Sequence, residues 1–227
     1  MLWVKWGRPG SPPAPISILN CIRRGFISIP SIMYPQRKLP VKISGGFWLL
    51  LGWFLLGNGW EMLAVILTAA CIHEAGHWLV LRLWGAEVRF VSIGVLGAEM
   101  QMLPGGLSYG RELTAVLAGP AANLLCGTAL TACGAPWLTA AGAHFALAGF
   151  NLLPIRPLDG GRALQLAAMF LAGPETGERI ARWTGCCCAL GLAVCLTAVM
   201  WRSGGSLWLL PPAAAALAAA AREAAGK

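Results

Sequence analysis

Between Met62 and Leu83 the chain runs through a stretch apolar enough for hydrocarbon and, at about 1.5 Å per helical residue, long enough to cross it. Two thirds of the way along stand His73-Glu74-Ala75-Gly76-His77. Polar groups at membrane depth are costly unless partnered, so two imidazoles and a carboxylate there need a reason. On a helix, four residues advance by about 400° and 6 Å, which puts both imidazoles on one face where they can share a cation. Glu74 then points at the neighbouring position, where a metal-bound water would sit. This is the spacing with which zinc hydrolases hold their ion, here inside an apolar helix.

Composition supports the membrane reading. Of 227 residues, 57% are hydrophobic and 11% charged, with mean hydropathy +0.67, which places the chain among polytopic membrane proteins. The formal charge is +8, yet seven of the seventeen basic residues and none of the nine acidic ones fall in residues 1–42, leaving ten against nine elsewhere. No polar domain carries a basic face, so nucleic acid is excluded as a partner and the excess reads as a cytoplasmic anchor beside the first span. Most of the eight cysteines lie inside apolar runs, where thiols behave as small hydrophobes and are expected to be buried. Cys186, Cys187 and Cys188 are consecutive and so point about 100° apart on a helix, which prevents them from sharing one metal.

The chain divides into a basic, proline-rich arm at 1–42, a membrane-embedded domain at 43–222 and a short tail at 223–227. Seven prolines in the arm forbid a long helix, and Met33 begins a plausible shorter protein. Six spans are expected: 43–57, 61–84, 112–133, 136–153, 183–201 and a weak alanine-rich segment at 207–221 interrupted by Pro211-Pro212. Gly57-Asn58-Gly59 reads as a tight hairpin between the first two. Residues 87–108 are too polar and glycine-rich to span and suggest one or two short strands with a loop. The fold class is therefore all-α and polytopic, with a small membrane-associated β segment after the zinc helix and a broken loop after the fourth helix. Arginines at 82, 89, 111, 156, 162, 179 and 182 cluster at alternate junctions, which sets the N-terminus and the His73–His77 end of its helix toward the cytoplasm.

Zinc held by two imidazoles needs a third protein ligand, with the fourth position left for water. The remaining choices are His144 and the single aspartate, Asp159, in the run Asn151-Leu152-Leu153-Pro154-Ile155-Arg156-Pro157-Leu158-Asp159-Gly160-Gly161-Arg162. Pro154 and Pro157 stop the fourth helix and Gly160-Gly161 let the backbone turn back tightly, so Asp159 can return to the depth of the histidines. A lone His144, seven residues before Asn151, reads more simply as a group satisfied by a local hydrogen bond. Asn123 suits either helix packing or support of the site, and Arg156 reads chiefly as an anchor at the cytoplasmic face.

The zinc helix together with Asn151 to Arg162 resembles the site-2 protease family of intramembrane zinc metalloproteases. The string NLLPIRPLDGGR is especially similar to the sporulation branch, which releases a sigma factor from its precursor. Gly119-Pro120 and Asn123 match a third family signature, and the likeness covers residues 37–205. The resemblance implies one zinc ion per chain held by His73, His77 and Asp159, Glu74 as general base and acid, and Asn151 contacting the substrate carbonyl or oxyanion. It implies a membrane-associated or transmembrane protein substrate, with a sigma-factor precursor leading and an anti-sigma factor or signal-peptide remnant as alternatives, and membrane inhibitor or regulatory proteins as further partners. Sporulation-branch proteins commonly carry a nucleotide-sensing domain after the last span; with only a short tail here, control through such a domain is not expected. Among other classes, a zinc transporter needs ligands repeated along several helices, and one aspartate with three histidines is too few. A non-catalytic scaffold is expected to have lost the glutamate or a ligand, and this chain retains all of them.

Overall fold

Ser44 closes a short extended segment and opens the first helix: its backbone is extended and its Oγ accepts a hydrogen bond from Phe47 N at 3.4 Å, a capping contact. The computed structural model describes residues 41–86, 88–94, 97–102, 107–204 and 209–226. The expected arm therefore lies outside the described residues up to position 40, as does the alternative start at Met33. Residues 41–43, expected as the end of that arm and the edge of the first span, form strand β1 (Val41–Ile43) instead.

Helix α1 (Gly45–Leu83) takes in both of the first two expected spans. The break between them falls on one residue, Gly59, with φ 78° and ψ 170°, rather than on a three-residue turn. Only glycine adopts that backbone conformation readily. After α1 come β2 (Val88–Gly94) and β3 (Gly97–Met102), then α2 (Tyr109–Ala132), a 3-10 turn at Ala135–Trp137, α3 (Leu138–Asn151), α4 (Asp159–Ala172), α5 (Pro174–Arg202) and α6 (Leu210–Ala224).

The strands form one sheet in the order β1-β2-β3. β2 and β3 pair antiparallel from Gly94 opposite Gly97 out to Val88 opposite Met102, with an irregularity between Val88 and Phe90. β1 lies parallel to β2, with Val41 opposite Val91 and Ile43 opposite Ile93, and Ser44 N continues the ladder to Ile93 O at 2.8 Å. The expected strands at 87–108 are thus present, and the sheet gains a third from a sequence segment too short to show a period.

Among the described residues, three helices, α1, α2 and α5, are long and apolar enough to cross a membrane. That count does not confirm the expected six, although α1 alone takes in the first two of them: α3 has 14 residues and α6 has 15, which rise only about 21 to 23 Å against a hydrocarbon core of about 30 Å. Helix α4 was not anticipated, because Gly160-Gly161 suggested a turn. Both glycines lie instead in its first turn, where a Cβ on Gly160 would stand 2.1 Å from Leu152 O and one on Gly161 2.5 Å from Ile155 C. Their role is close approach of two backbones.

The interior is built from small residues. Ala69, Ala115, Ala141, Ala148, Ala181, Ala189 and Ala193 are buried, while Leu56, Leu83, Leu125, Leu171, Val194 and Trp201 face outward. Such an inside-out distribution suits helices that approach closely and present their large apolar side chains to lipid. The cysteines follow it. Cys186 is buried, but Cys71, Cys133, Cys187 and Cys195 are on the outer faces, so the burial expected for cysteines is met at Cys186 and not at these four. One tight cluster joins the turn before α4 to the C-terminal helices, with Ile155 and Leu158 packed against Ala189, Ala219 and Ala220.

Candidate metal centre

His73 and His77 are buried on the inner face of α1, one turn apart as the spacing requires. Asp159, the first residue of α4, reaches them from 86 positions away. Its Oδ2 lies 2.9 Å from His73 Nε2 and 3.3 Å from His77 Nε2, and the two Nε2 atoms are 3.1 Å apart. All three side chains are at most 3% exposed. Three ligating atoms facing one point, two of them imidazole nitrogens and one a carboxylate oxygen, make a donor set suited to zinc. A carboxylate in the first turn of α4 is also favoured by that helix's dipole.

The surroundings fit a metal as well. His77 Nδ1 donates to Ala115 O at 2.8 Å, which fixes the proton on Nδ1 and leaves the Nε2 lone pair directed at the centre. Helix α2 passes close beside the rings at Gly119, where a Cβ would stand 2.1 Å from His77 Nε2. At Gly76 the same two helices touch, since a Cβ there would lie 2.6 Å from Ala118 O. Gly119-Pro120 is therefore a bare wall that admits the imidazole.

Asn123 and His144 stand behind His73. The Asn123 amide lies 3.2 Å from His73 Nδ1 through Nδ2 and 3.0 Å from His144 Nδ1 through Oδ1. The local hydrogen bond expected for His144 is thus replaced by one to another helix, and Asn123 both bridges helices and touches the site. Asn151 is buried at the end of α3 and is not among the three converging donors. Its Nδ2 donates to Leu147 O at 3.0 Å, and its buried Oδ1 has no hydrogen-bond partner among the described residues.

The turn leading into Asp159 is bonded to a second polar cluster that the sequence did not reveal. The Arg156 guanidinium bonds both carboxylate oxygens of Glu223 on α6 and, at 2.7 Å, Glu178 on α5, while Arg156 N donates to Glu223 Oε1 at 3.2 Å. These carboxylates, Glu223 foremost, push the Arg156 pKa above its ordinary value, so it stays cationic. Beside the anchoring role expected for Arg156 at the membrane face, it has these internal partners. Gln165 links Glu178 to Arg162, and Arg162 pairs with Glu112 on α2. The only hint in the sequence was a carboxylate, Glu223, closing an otherwise alanine-rich helix.

No family model matches the chain. It is 30% identical over 123 residues to a Synechocystis sp. protein named as a zinc metalloprotease, and 29% identical over 146 residues to a zinc metalloprotease of Methanocaldococcus jannaschii. These matches take in 49% and 56% of this chain but only 32% and 42% of the relatives, so it spans well under half their length. The site-2 protease from Methanocaldococcus jannaschii superposes with a TM-score of 0.59 at 21% identity, over 82% of this chain and 90% of that one. The class is therefore that of a membrane protein with a site-2 protease fold. Within that class, the chain is related in sequence to zinc metalloproteases and carries a His-His-Asp group that suits Zn2+.

Proposed function

We propose that the chain is an intramembrane zinc metalloprotease of the site-2 type, with His73, His77 and Asp159 as its metal ligands and Glu74 as its general base and acid. The observation that carries this reading is the convergence of one carboxylate and two imidazoles from α4 and α1, with Glu74 adjacent to the first imidazole. Bound there, zinc would supply Lewis-acid polarisation of the scissile carbonyl and of an attacking water. Glu74 takes a proton from that water and returns it to the leaving amide nitrogen, the exchange a carboxylate at this position is suited to make. Asn151 is the proposed contact for the substrate carbonyl, and its second amide hydrogen remains available after the bond to Leu147 O.

The outer edge of β3 is where an unwound substrate would be received, since an edge strand offers unpaired backbone groups to an extended segment. The substrate is a membrane-associated or transmembrane protein cut near the cytoplasmic face. A sporulation sigma-factor precursor leads on the strength of the Asn151–Arg162 string, with an anti-sigma factor or signal-peptide remnant behind it. Co-expression of the chain with that precursor, as wild type, Glu74→Gln and Asp159→Asn, tests both parts. Glu74→Gln should lower cleavage by about 10²- to 10⁴-fold with zinc retained, and Asp159→Asn should lose zinc and cleavage together. Equal cleavage by all three overturns the mechanism; cleavage of other clients alone removes only the substrate.

A further inference from the structure

We propose that His144 is a positioning residue for the metal centre: by accepting a hydrogen bond from Asn123, it holds that amide with its oxygen toward His73 and keeps His73 in the tautomer whose Nε2 can bind zinc. The proposal rests on the reading of His73, His77 and Asp159 as zinc ligands.

The four side chains form one buried line. His144 Nδ1 is 3.0 Å from the Asn123 amide, the other end of that amide is 3.2 Å from His73 Nδ1, and His73 Nε2 is 2.9 Å from Asp159 Oδ2. None is more than 2% exposed. A neutral imidazole has one donor and one acceptor, and an amide donates from one end and accepts at the other, so fixing one proton fixes the rest.

Two arrangements satisfy the line. In the first, which is how the amide is placed in this structure, His144 Nδ1–H donates to Asn123 Oδ1, the amide N–H donates to His73 Nδ1, and the His73 proton sits on Nε2, where it donates to Asp159. A half-turn of the amide exchanges its oxygen and nitrogen in place and gives the second. There His73 Nδ1–H donates to the amide oxygen, the amide N–H donates to His144 Nδ1, and the His144 proton sits on Nε2. Only the second leaves a lone pair on His73 Nε2 for a cation.

His77 has its tautomer set by the carbonyl of Ala115, which can only accept. His73 faces an amide that can present either end. The choice passes to whatever meets the amide's other end, and that group is His144. An acceptor there selects the zinc-binding tautomer.

The test uses the full chain in lipid nanodiscs loaded with Zn2+. With three histidines in the sequence, 15N-histidine NMR can resolve each ring. The expected result is a protonated Nδ1 on His73 and, on His144, a protonated Nε2 with an accepting Nδ1; a protonated Nδ1 on His144 overturns the proposal. In zinc titrations, His144→Leu should weaken binding by about 10- to 100-fold, the usual cost of losing an outer partner of a ligand. His144→Asn, whose amide can still accept from Asn123, should remain within about threefold of wild type. Wild-type affinity in His144→Leu sinks the relay alone, whereas a wild-type chain that binds no zinc sinks the reading of the site and the relay with it. Should His144→Leu fail to fold, the NMR assignment and His144→Asn still decide.

Discussion

Two polar clusters, one buried and one part-buried, flank Asp159, and they are made of opposite materials. Around the metal centre the groups are short, set on helices and directed at a single point, with every ligating pair within 3.3 Å. The second cluster strings long side chains, Glu223, Arg156, Glu178, Gln165, Arg162 and Glu112, through α6, α5, α4 and α2. Arg156 and Arg162 stand three residues before and three after Asp159. The difference separates two tasks. One helix suffices to align His73 with His77, whereas Asp159 arrives at the start of a distant helix, and the ion-pair cluster ties the turn before it to α5 and α6.

The largest expected effect breaks the first cluster from its open side. In Gly119→Ala the new methyl would lie 2.1 Å from His77 Nε2, and since the obstacle is a ring already tied to Ala115 O, the ring must leave its place. Zinc affinity should fall by more than about 100-fold, beyond the usual outer-partner loss because a ligand itself is displaced. Helical content should persist, because alanine favours a helix over glycine by about 1 kcal/mol. Zinc titration beside circular dichroism measures both, and unchanged affinity would mean that α2 does not wall the site.

Next comes the second cluster. Glu223→Gln keeps the shape of a side chain that is 2% exposed but removes the charge facing Arg156. The cost should be about 1 to 3 kcal/mol, moderated because Arg156 is 21% exposed and Glu178 remains as its partner. If the cluster holds Asp159 in place, zinc affinity should drop about tenfold as well, at the lower end of what distant partners of a ligand contribute. Thermal unfolding in nanodiscs with and without zinc separates the two effects. Lost stability with unchanged zinc affinity would reduce this cluster to packing and erase the division of tasks.

These clusters also differ in how far they could be read from residues alone. His73 and His77 were legible because helical spacing is a local rule, and Asp159 because it is the only aspartate and sits in a distinctive string. Glu223 was not, since its only local mark is a carboxylate where an alanine-rich segment meets the expected tail, and its partner Arg156 is 67 residues away. The Asn123–His144 contact was hidden for the same reason, joining α2 to α3 across 21 residues. Strand β1 escaped because three residues show no period and its parallel partner lies about fifty positions on. Helix α4 was concealed by two glycines whose cause, the carbonyls of Leu152 and Ile155, appears only once the chain is folded.

The smallest effect tests whether any polar contact between α1 and α2 would serve as well. Trp84, seven residues past His77, donates from Nε1 to Thr114 Oγ1 at 3.0 Å and lies under the Arg111 guanidinium, 5.0 Å from the ring centroid. This contact is exposed and joins the same two helices that enclose the imidazoles. Trp84→Phe removes the hydrogen bond and keeps an aromatic face, so it should cost no more than about 1 kcal/mol. Zinc affinity should stay within about twofold of wild type, because neither the Ala115 carbonyl nor Asn123 depends on it. A tenfold loss of zinc would show that the whole α1–α2 contact tunes the ligands, and the separation between a site aligned by one helix and a loop held by ion pairs would have to be redrawn.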